Sequence, residues 1–362
     1  MGARSGRCVL SGPRVSEAAP RVVVQGAGAI GGWIGGCWAA AGLPVRLIAR
    51  QPIKNEIEAD GLHLTEIGGR RLDLQPAQVP VTTSPKVLAE ADIIALCVKS
   101  TATEAAAKEI ARHARKGAAV ISFQNGVSNP ERLRALLPGL EVLQAVVPFN
   151  VARLGNGRWH KGTSGDLLIE DHPRARDLAA RIGDAPGRLK PTDDIGGLAW
   201  GKLLINLNNA VNALSGRTLL EQLMERDYRR VVAAAQVEAL AVLKAAGIKP
   251  AQFGPIAPHL LPHAIGAPDF LFKKLVLKVQ RIDPHARSSM ADDFAAGRST
   301  EIDFLNGEVV KLAKSLGLRA PVNQVVSALV RQAEAGVERT WEPKDLWAHV
   351  RRFYRPNPAL GY

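Results

Sequence analysis

A lysine set among four asparagines marks the segment 200–216, WGKLLINLNNAVNALSG. Lys202, Asn206 and Asn209 recur at i, i+4 and i+7, which predicts one strip along a single helix. Leu203, Leu207, Val211 and Leu214 recur at helical spacing beside them, so a neighbouring stripe faces a core. Asparagine is a poor interior helix former, because its amide competes for the backbone. A cation flanked by short amides, with no carboxylate beside it, suits an anion or a developing alkoxide. The competing reading is structural, with asparagines bonded to loops and a lysine that snorkels to water.

A second stretch suits phosphate. Residues 21–25 are a β-branched run leading into Gly26-Ala27-Gly28-Ala29-Ile30-Gly31-Gly32, a small-residue helix ended by Gly42, and a second strand at 45–49. This is a G-x-G-x-x-G turn between a strand and a helix. The first glycine permits the turn, the second lets backbone approach a pyrophosphate, and the third lets helix pack on sheet. Free N–H groups at the helix N-terminus then meet the phosphate. A glycine-rich turn without a ligand is the plainer reading.

The end of the second strand bears on which dinucleotide would fit. An NAD site usually offers a carboxylate there for the ribose 2′-hydroxyl. Here the strand runs into Arg50, Gln51, Pro52, Ile53 and Lys54, and no acid appears before Glu56. A guanidinium suits a 2′-phosphate instead, so Arg50, assisted by Lys54, favours NADP(H).

These groups need a frame. Strands are expected at 92–98, 119–123 and 141–147, with a helix at 101–114, so strand and helix alternate as in a Rossmann-type, doubly wound parallel sheet. Short alternating segments at 150–169 read as hairpins closing this domain. From 194 the chain reads as all-α, with a long amphipathic helix at 224–247 and a proline-rich loop at 250–268. The expected organisation is a leader at 1–20, a dinucleotide-binding domain at 21–193, a helical substrate domain at 194–340 and a basic tail at 341–362, read as a surface appendage.

Composition excludes several classes. An apolar fraction of 46% over 362 residues supports two buried cores, and no apolar run reaches the length of a membrane span. Cys8, Cys37 and Cys97 are far apart and form no Cys-x-x-Cys pair, which fits a reducing cytosol rather than a disulfide framework or zinc site. The net charge of +13 is spread along the chain without a Lys/Arg block, so it suits small anionic ligands better than nucleic acid. His259 and His263 have Pro262 between them, which disfavours a helical metal pair, and no metal is expected. The leader is Arg-rich and acid-poor, as an organelle transit segment would be, but a disordered leader or an upstream start codon explains it more simply. The oligomeric state is left open, a homodimer being compatible.

Downstream, RSSMADD at 287–293 precedes GRSTEIDFLNG at 297–307. Ile302, Leu305, Val309, Leu312 and Leu316 form a helical stripe, which predicts a helix starting near Thr300. Thr300 would cap it and Glu301 would fall in its first turn, where a carboxylate also favours the helix dipole. Together the GAGAIG turn, Gln124-Asn125-Gly126 after a strand, WGK-x-x-x-N at Lys202 and Asn206, and SSM…STEIDFLNG resemble the ketopantoate reductase (2-dehydropantoate 2-reductase) family from residue 22 to about 321.

The resemblance implies roles. Lys202 would be the general acid that protonates the C2 carbonyl oxygen as NADPH gives hydride to carbon. Glu301 would lie against the nicotinamide ribose and the substrate hydroxyl, with Asn125 between cofactor and substrate. Asn206 would orient substrate oxygens, Ser289 would hold the substrate carboxylate or hydroxyl, and Lys99 and the backbone near Val151 would lie by the cofactor. Two positions depart from the family: Ala210, with Asn209 beside it, stands where a further asparagine is common, and Ala286-Arg287 where another often precedes the serines. The implied reaction is reduction of 2-dehydropantoate to (R)-pantoate, toward pantothenate and coenzyme A. Reduction of another 2-oxo acid is the alternative within enzymes, and an NADPH-binding sensor or scaffold without turnover is the alternative outside them.

Overall fold

The computed structural model describes residues 18–276, 286–337 and 340–354. The expected leader therefore lies almost wholly outside the described residues, as does the tail from 355. In chain order the strands are Val22–Gln25 (β1), Val45–Ile48 (β2), Leu62–Glu66 (β3), Arg71–Leu74 (β4), Val81–Thr82 (β5) and Ile93–Leu96 (β6). Ala119–Ser122 (β7), Glu141–Val146 (β8), Val151–Gly155 (β9), Arg158–Lys161 (β10), Leu167–Glu170 (β11) and Leu189–Thr192 (β12) follow. Eight of them form one sheet in the order β12-β11-β8-β7-β6-β1-β2-β5.

The apolar runs explain its interior. β1, β6 and β7 are buried at every position, as strands covered on both faces must be. From β5 through β8 the sheet is parallel, with Val22 opposite Val45 on one side and Ile93 on the other. β11 runs antiparallel to β8 and parallel to β12, so the sheet is mixed at one margin rather than parallel throughout. The chain leaves β1 for β2 on one side, while β6 flanks it on the other. That change of direction opens a crevice at the carboxyl ends of β1 and β6, the usual ligand position in such sheets.

A second sheet, β4-β3-β10-β9, lies apart from the first. The residues 150–169 were expected to form hairpins. β9 and β10 do, but β10 also pairs in parallel with β3, and β11 joins the main sheet. The small sheet covers the outer side of the helix Ala29–Ala40 (α1), which meets β3, β4, β9 and β10 as well as β1 and β2. This explains why α1 is apolar nearly all round, since it has no solvent face to maintain. Its glycines permit the double contact: a Cβ on Gly35 would fall 2.5 Å from Leu47, and one on Gly36 2.4 Å from Leu62.

After β12 the described chain is helical. Between α1 and this half lie the helices Gln51–Asp60 (α2), Thr103–His113 (α3), Asn129–Leu136 (α4) and Pro173–Ile182 (α5). The strip read as one helix is two, Ile195–Asn206 (α6) and Asn208–Ser215 (α7), joined at Leu207. The long helix expected at 224–247 is present as Arg226–Ala245, and a separate short helix, Leu219–Met224, precedes it and opens on a capping box between Thr218 and Glu221. The long helix is the hub of this half, packing against α7 and the helices Pro321–Glu334 and Pro343–Val350.

The last of these corrects the expectation for the tail. Leu346 and Val350 are fully buried and belong to the helical core, so residues 343–350 are part of the fold. Leu346→Ala should therefore lower unfolding stability by about 2–5 kcal/mol, the range for truncating a buried leucine. A urea unfolding midpoint equal to that of the parent chain would show instead that this helix merely rests on the surface. Among the described residues, no helix is long and apolar enough to cross a membrane.

Candidate active site

The glycine turn at the end of β1 answers to sterics at its first and third positions. Gly26 has φ +101°, and a Cβ there would sit 2.9 Å from the Val98 backbone nitrogen. A Cβ on Gly31 would lie 2.2 Å from the Gly26 carbonyl oxygen. One on Gly28 would meet nothing within 4 Å, so the space over the middle glycine is open. No side chain caps α1, which leaves the first-turn N–H groups of Ala29, Ile30 and Gly31 for an anion. The turn thus fits a dinucleotide pyrophosphate. It is anchored to β2, whose Ile48 carbonyl accepts the N–H groups of Gly26 (3.1 Å) and Ala27 (3.0 Å).

Arg50 follows β2 as the cap residue of the helix Gln51–Asp60. It is exposed and, among the described residues, its guanidinium has no partner, whereas Lys54 is paired with Glu58. Arg50 is therefore the cation beside the glycine turn that remains available for a phosphate.

The loops after β6 and β7 meet the helical half of the molecule across the same crevice. Gln124 ties the two loops together, donating to the Val98 carbonyl (3.1 Å) and to Thr103 Oγ1 (2.8 Å). Asn129 holds the next turn, donating to the Asn125 carbonyl (2.6 Å) and to Ser100 Oγ (2.9 Å). Gly126 has φ +86°, and a Cβ there would be 2.9 Å from the Phe304 carbonyl, so the Gln-Asn-Gly loop abuts the STEIDF segment directly.

Across this contact runs a chain of hydrogen bonds. Lys202 Nζ donates to Asn125 Oδ1 (2.8 Å), and Asn125 Nδ2 donates to Glu301 Oε2 (3.0 Å). The Ser100 N–H donates to Glu301 Oε1 (2.8 Å). Glu301 is buried. Lys202 keeps part of its surface accessible yet has protein on nearly every side. Burial lowers its pKa from 10.5 to about 8, against an opposing pull from the Glu301 carboxylate.

Local packing explains the WGK motif. Asp194 caps α6 by accepting the Gly197 N–H at 2.9 Å. A Cβ on Gly201 would fall 2.1 Å from the Ala251 carbonyl, so only glycine lets the loop after the helix Arg226–Ala245 cross α6 next to Lys202. Asn125, Lys202 and Asn206 line a narrow cleft, open to solvent, with the apolar walls Val146 and Ala199 and about 10 Å³ of free space, room for about one water. Among the described residues the Asn206 amide has no hydrogen-bond partner and is free to receive a ligand.

Other expected residues fall elsewhere. Asn209 lies beyond the joint at Leu207, with its carbonyl accepting Ser288 Oγ at 3.3 Å. Ala210 is fully buried in the core and does not line the cleft. Of the paired serines it is Ser288 that is built in: its Oγ accepts the Ala291 N–H and its N–H donates to Asn212 Oδ1 at 2.9 Å. Ser289 is exposed on the first turn of the helix Ser289–Ala295 and does not line the cleft. Lys99 pairs with Asp293, a buried carboxylate that also takes Arg298 at 3.1 Å, leaving a cluster of net positive charge beyond β6. Val151 opens β9 and packs half-buried against the core around α1.

The expected helix start at Thr300 is corrected. Ile302–Phe304 is a single 3₁₀ turn, Leu305 (φ −117°, ψ −94°) breaks it, and the helix proper is Asn306–Ser315. Glu301 is thereby released from a helix first turn and faces Ser100 and Asn125, while Asp303 pairs with Arg331. Ser100, Asn129, Asn212 and Asp293 were not singled out from sequence. Asn212 was the remaining apolar-flanked asparagine of the opening segment, and Ser100 directly follows Lys99. Nothing local in sequence pointed to Asn129.

Residues 22–174 match the family described as ketopantoate reductase PanE/ApbA, and residues 194–334 match its C-terminal counterpart. A 2-dehydropantoate 2-reductase of Halobacterium salinarum is 28% identical over 324 residues, covering 87% of this chain and 99% of that protein. The crystal structure of a PanE/ApbA family ketopantoate reductase from Ralstonia eutropha superposes with a TM-score of 0.75 at 33% identity, covering 87% of this chain and 99% of the other. D-mandelate dehydrogenase, solved with NADH and anilino(oxo)acetate, shares the fold at 19% identity (TM-score 0.72, 87% of this chain, 99% of that one). Two matched segments that together span most of the sequence, and contain every member of the Lys202–Asn125–Glu301–Ser100 chain, make this protein a member of the ketopantoate reductase PanE/ApbA family of oxidoreductases.

Proposed function

We propose that the chain reduces 2-dehydropantoate to (R)-pantoate with NADPH, serving pantothenate and coenzyme A synthesis. The observation that carries this reading is Lys202 Nζ, held at 2.8 Å by Asn125 in a cleft on the dinucleotide edge of the sheet. NADPH, when bound, supplies the hydride. The glycine turn and the first turn of α1 would take its pyrophosphate, Arg50 its 2′-phosphate, and the Lys99 cluster would add positive potential.

Lys202 delivers the proton to the C2 carbonyl oxygen and its charge steadies the alkoxide as that oxygen becomes negative. Its lowered pKa puts proton loss near the operating pH, which makes transfer easy in both directions. Asn125 fixes the ammonium, because its carbonyl oxygen faces Lys202 while its NH₂ is committed to Glu301. The open Asn206 amide orients the substrate carboxylate or hydroxyl, and the apolar walls limit water. Ser289 and Asn209 remain proposed substrate contacts, although neither lines the cleft around Lys202.

The test follows NADPH oxidation by the full chain with and without ketopantoate, then with NADH and with a panel of 2-oxo acids. Ketopantoate should be among the best substrates, and NADPH should be clearly preferred. A faster rate with another 2-oxo acid moves the assignment to that substrate, equal rates with NADH remove the role given to Arg50, and no turnover with any of them favours a sensor.

A further inference from the structure

The glycine turn has a partner that no glycine pattern announces. Trp159, on β10 of the small sheet, is fully buried and donates its Nε1–H to the Gly28 carbonyl at 3.0 Å. The same carbonyl accepts the Gly32 N–H at 3.0 Å, so both of its lone pairs are engaged. There are no cis peptide bonds among the described residues, and a trans peptide is planar. Fixing the Gly28 carbonyl inward therefore fixes the Ala29 N–H of the same peptide outward, off the open end of α1. A carbonyl with two donors also polarises its amide, which strengthens that N–H toward an anion.

The indole is itself held. The Arg153 guanidinium lies 5.3 Å from its ring centroid and pairs with Glu56, whose other oxygen accepts the Gly157 N–H at 2.9 Å. A Cβ on Gly32 would sit 2.6 Å from Trp159 Nε1, so the fourth glycine of the turn answers to this indole rather than to a phosphate.

We propose that Trp159 is a positioning residue for pyrophosphate recognition, locking the Gly28–Ala29 peptide with its N–H presented to the ligand. This rests on the dinucleotide reading above. It gives the small sheet a task beyond covering α1, since β10 carries the donor that sets the turn.

Trp159→Phe keeps a ring and removes the N–H. Calorimetry on the full chain would compare 2′-phospho-ADP-ribose, which carries the pyrophosphate, with 2′-AMP, which carries only the 2′-phosphate end. The variant should bind 2′-phospho-ADP-ribose about tenfold more weakly, the scale of one hydrogen bond to a charged group, and 2′-AMP as the parent does. Unchanged affinity for both ligands overturns the proposal, and so does an equal loss for both, which is what a packing role alone would give. Failure of the parent chain to bind 2′-phospho-ADP-ribose overturns the dinucleotide reading, and the proposal with it. If phenylalanine disturbs folding, the 3-benzothienyl analogue of tryptophan at position 159 preserves the indole shape without the donor, and the same outcomes apply.

Discussion

Alanine at position 202 should lower kcat for ketopantoate reduction by about 10³-fold while leaving dinucleotide affinity near that of the parent chain, since one group supplies both the proton and the charge opposite the alkoxide. Steady-state rates and calorimetry with NADP+ separate the two effects, and a variant retaining a tenth of parental kcat would remove Lys202 from the chemistry. The pH profile gives an independent check. With the Lys202 pKa near 8, kcat/KM for reduction should be level below that pH and fall as pH rises through it. The reverse oxidation needs the free amine and should rise over the same interval. Stability moves the other way from reduction. The unfolded chain, with its lysine at 10.5, binds more protons than the folded chain between pH 8 and 10.5, so this group's contribution to stability increases with pH across that window. Its cost is present in full below pH 8, so activity is greatest where this lysine strains the fold most.

Glu301→Gln should lower kcat by about 30- to 100-fold with little change in overall stability, through lost orientation of the proton donor. The carboxylate accepts at both oxygens, from the Ser100 N–H and from Asn125 Nδ2. A glutamine amide can accept at only one. If its oxygen stays on Ser100, its NH₂ faces the Asn125 NH₂, and relief comes from flipping the Asn125 amide. The flipped amide then presents NH₂ to the Lys202 ammonium, exchanging a 2.8 Å hydrogen bond for a repulsion. A substitution of one atom at Glu301 thus displaces the proton donor two residues along the chain of contacts. Parental kcat in this variant would show that Glu301 has no hold on Lys202, and a matching fall in thermal stability would assign it a structural role instead.

Several of these features were legible because their causes are local. Gly31 is read from spacing since the clash it avoids, with the Gly26 carbonyl, lies within the turn, whereas the clash Gly26 avoids, with Val98 beyond β6, comes with the same pattern but from far along the chain. The Lys202–Asn206 pair was legible for the same reason as Gly31, being one turn apart on α6. The break at Leu207 was not, because Leu207 continues the apolar stripe and keeps near-helical dihedrals (φ −58°, ψ −22°). β3 and β4 were missed altogether. They are short, carry His63, Thr65, Arg71 and Asp73 between their apolar residues, and owe their place to β10, far along the chain. Which of two adjacent serines is committed to the fold is decided by Asn209 and Asn212 across a helix contact, which hold Ser288 and leave Ser289, the serine the family resemblance set at the substrate, exposed. Glu301 was found by motif but set in the wrong geometry, because a helical stripe from Ile302 to Leu316 conceals the twist at Leu305.

Ser100 and Asn125 come from the sheet half of the molecule, and Lys202 and Glu301 from the helical half. Neither half, however well folded, contains an aligned donor. The reaction centre behaves like a casting made in a two-part mould, defined only where the parts are clamped. Gly126 against the Phe304 carbonyl is one such clamping face, and Ser128 Oγ donating to the buried Glu308 carboxylate is another. Parting the halves by the width of a water molecule would erase the site while leaving every strand and helix intact. Small residues along that line are therefore as consequential for turnover as the lysine itself.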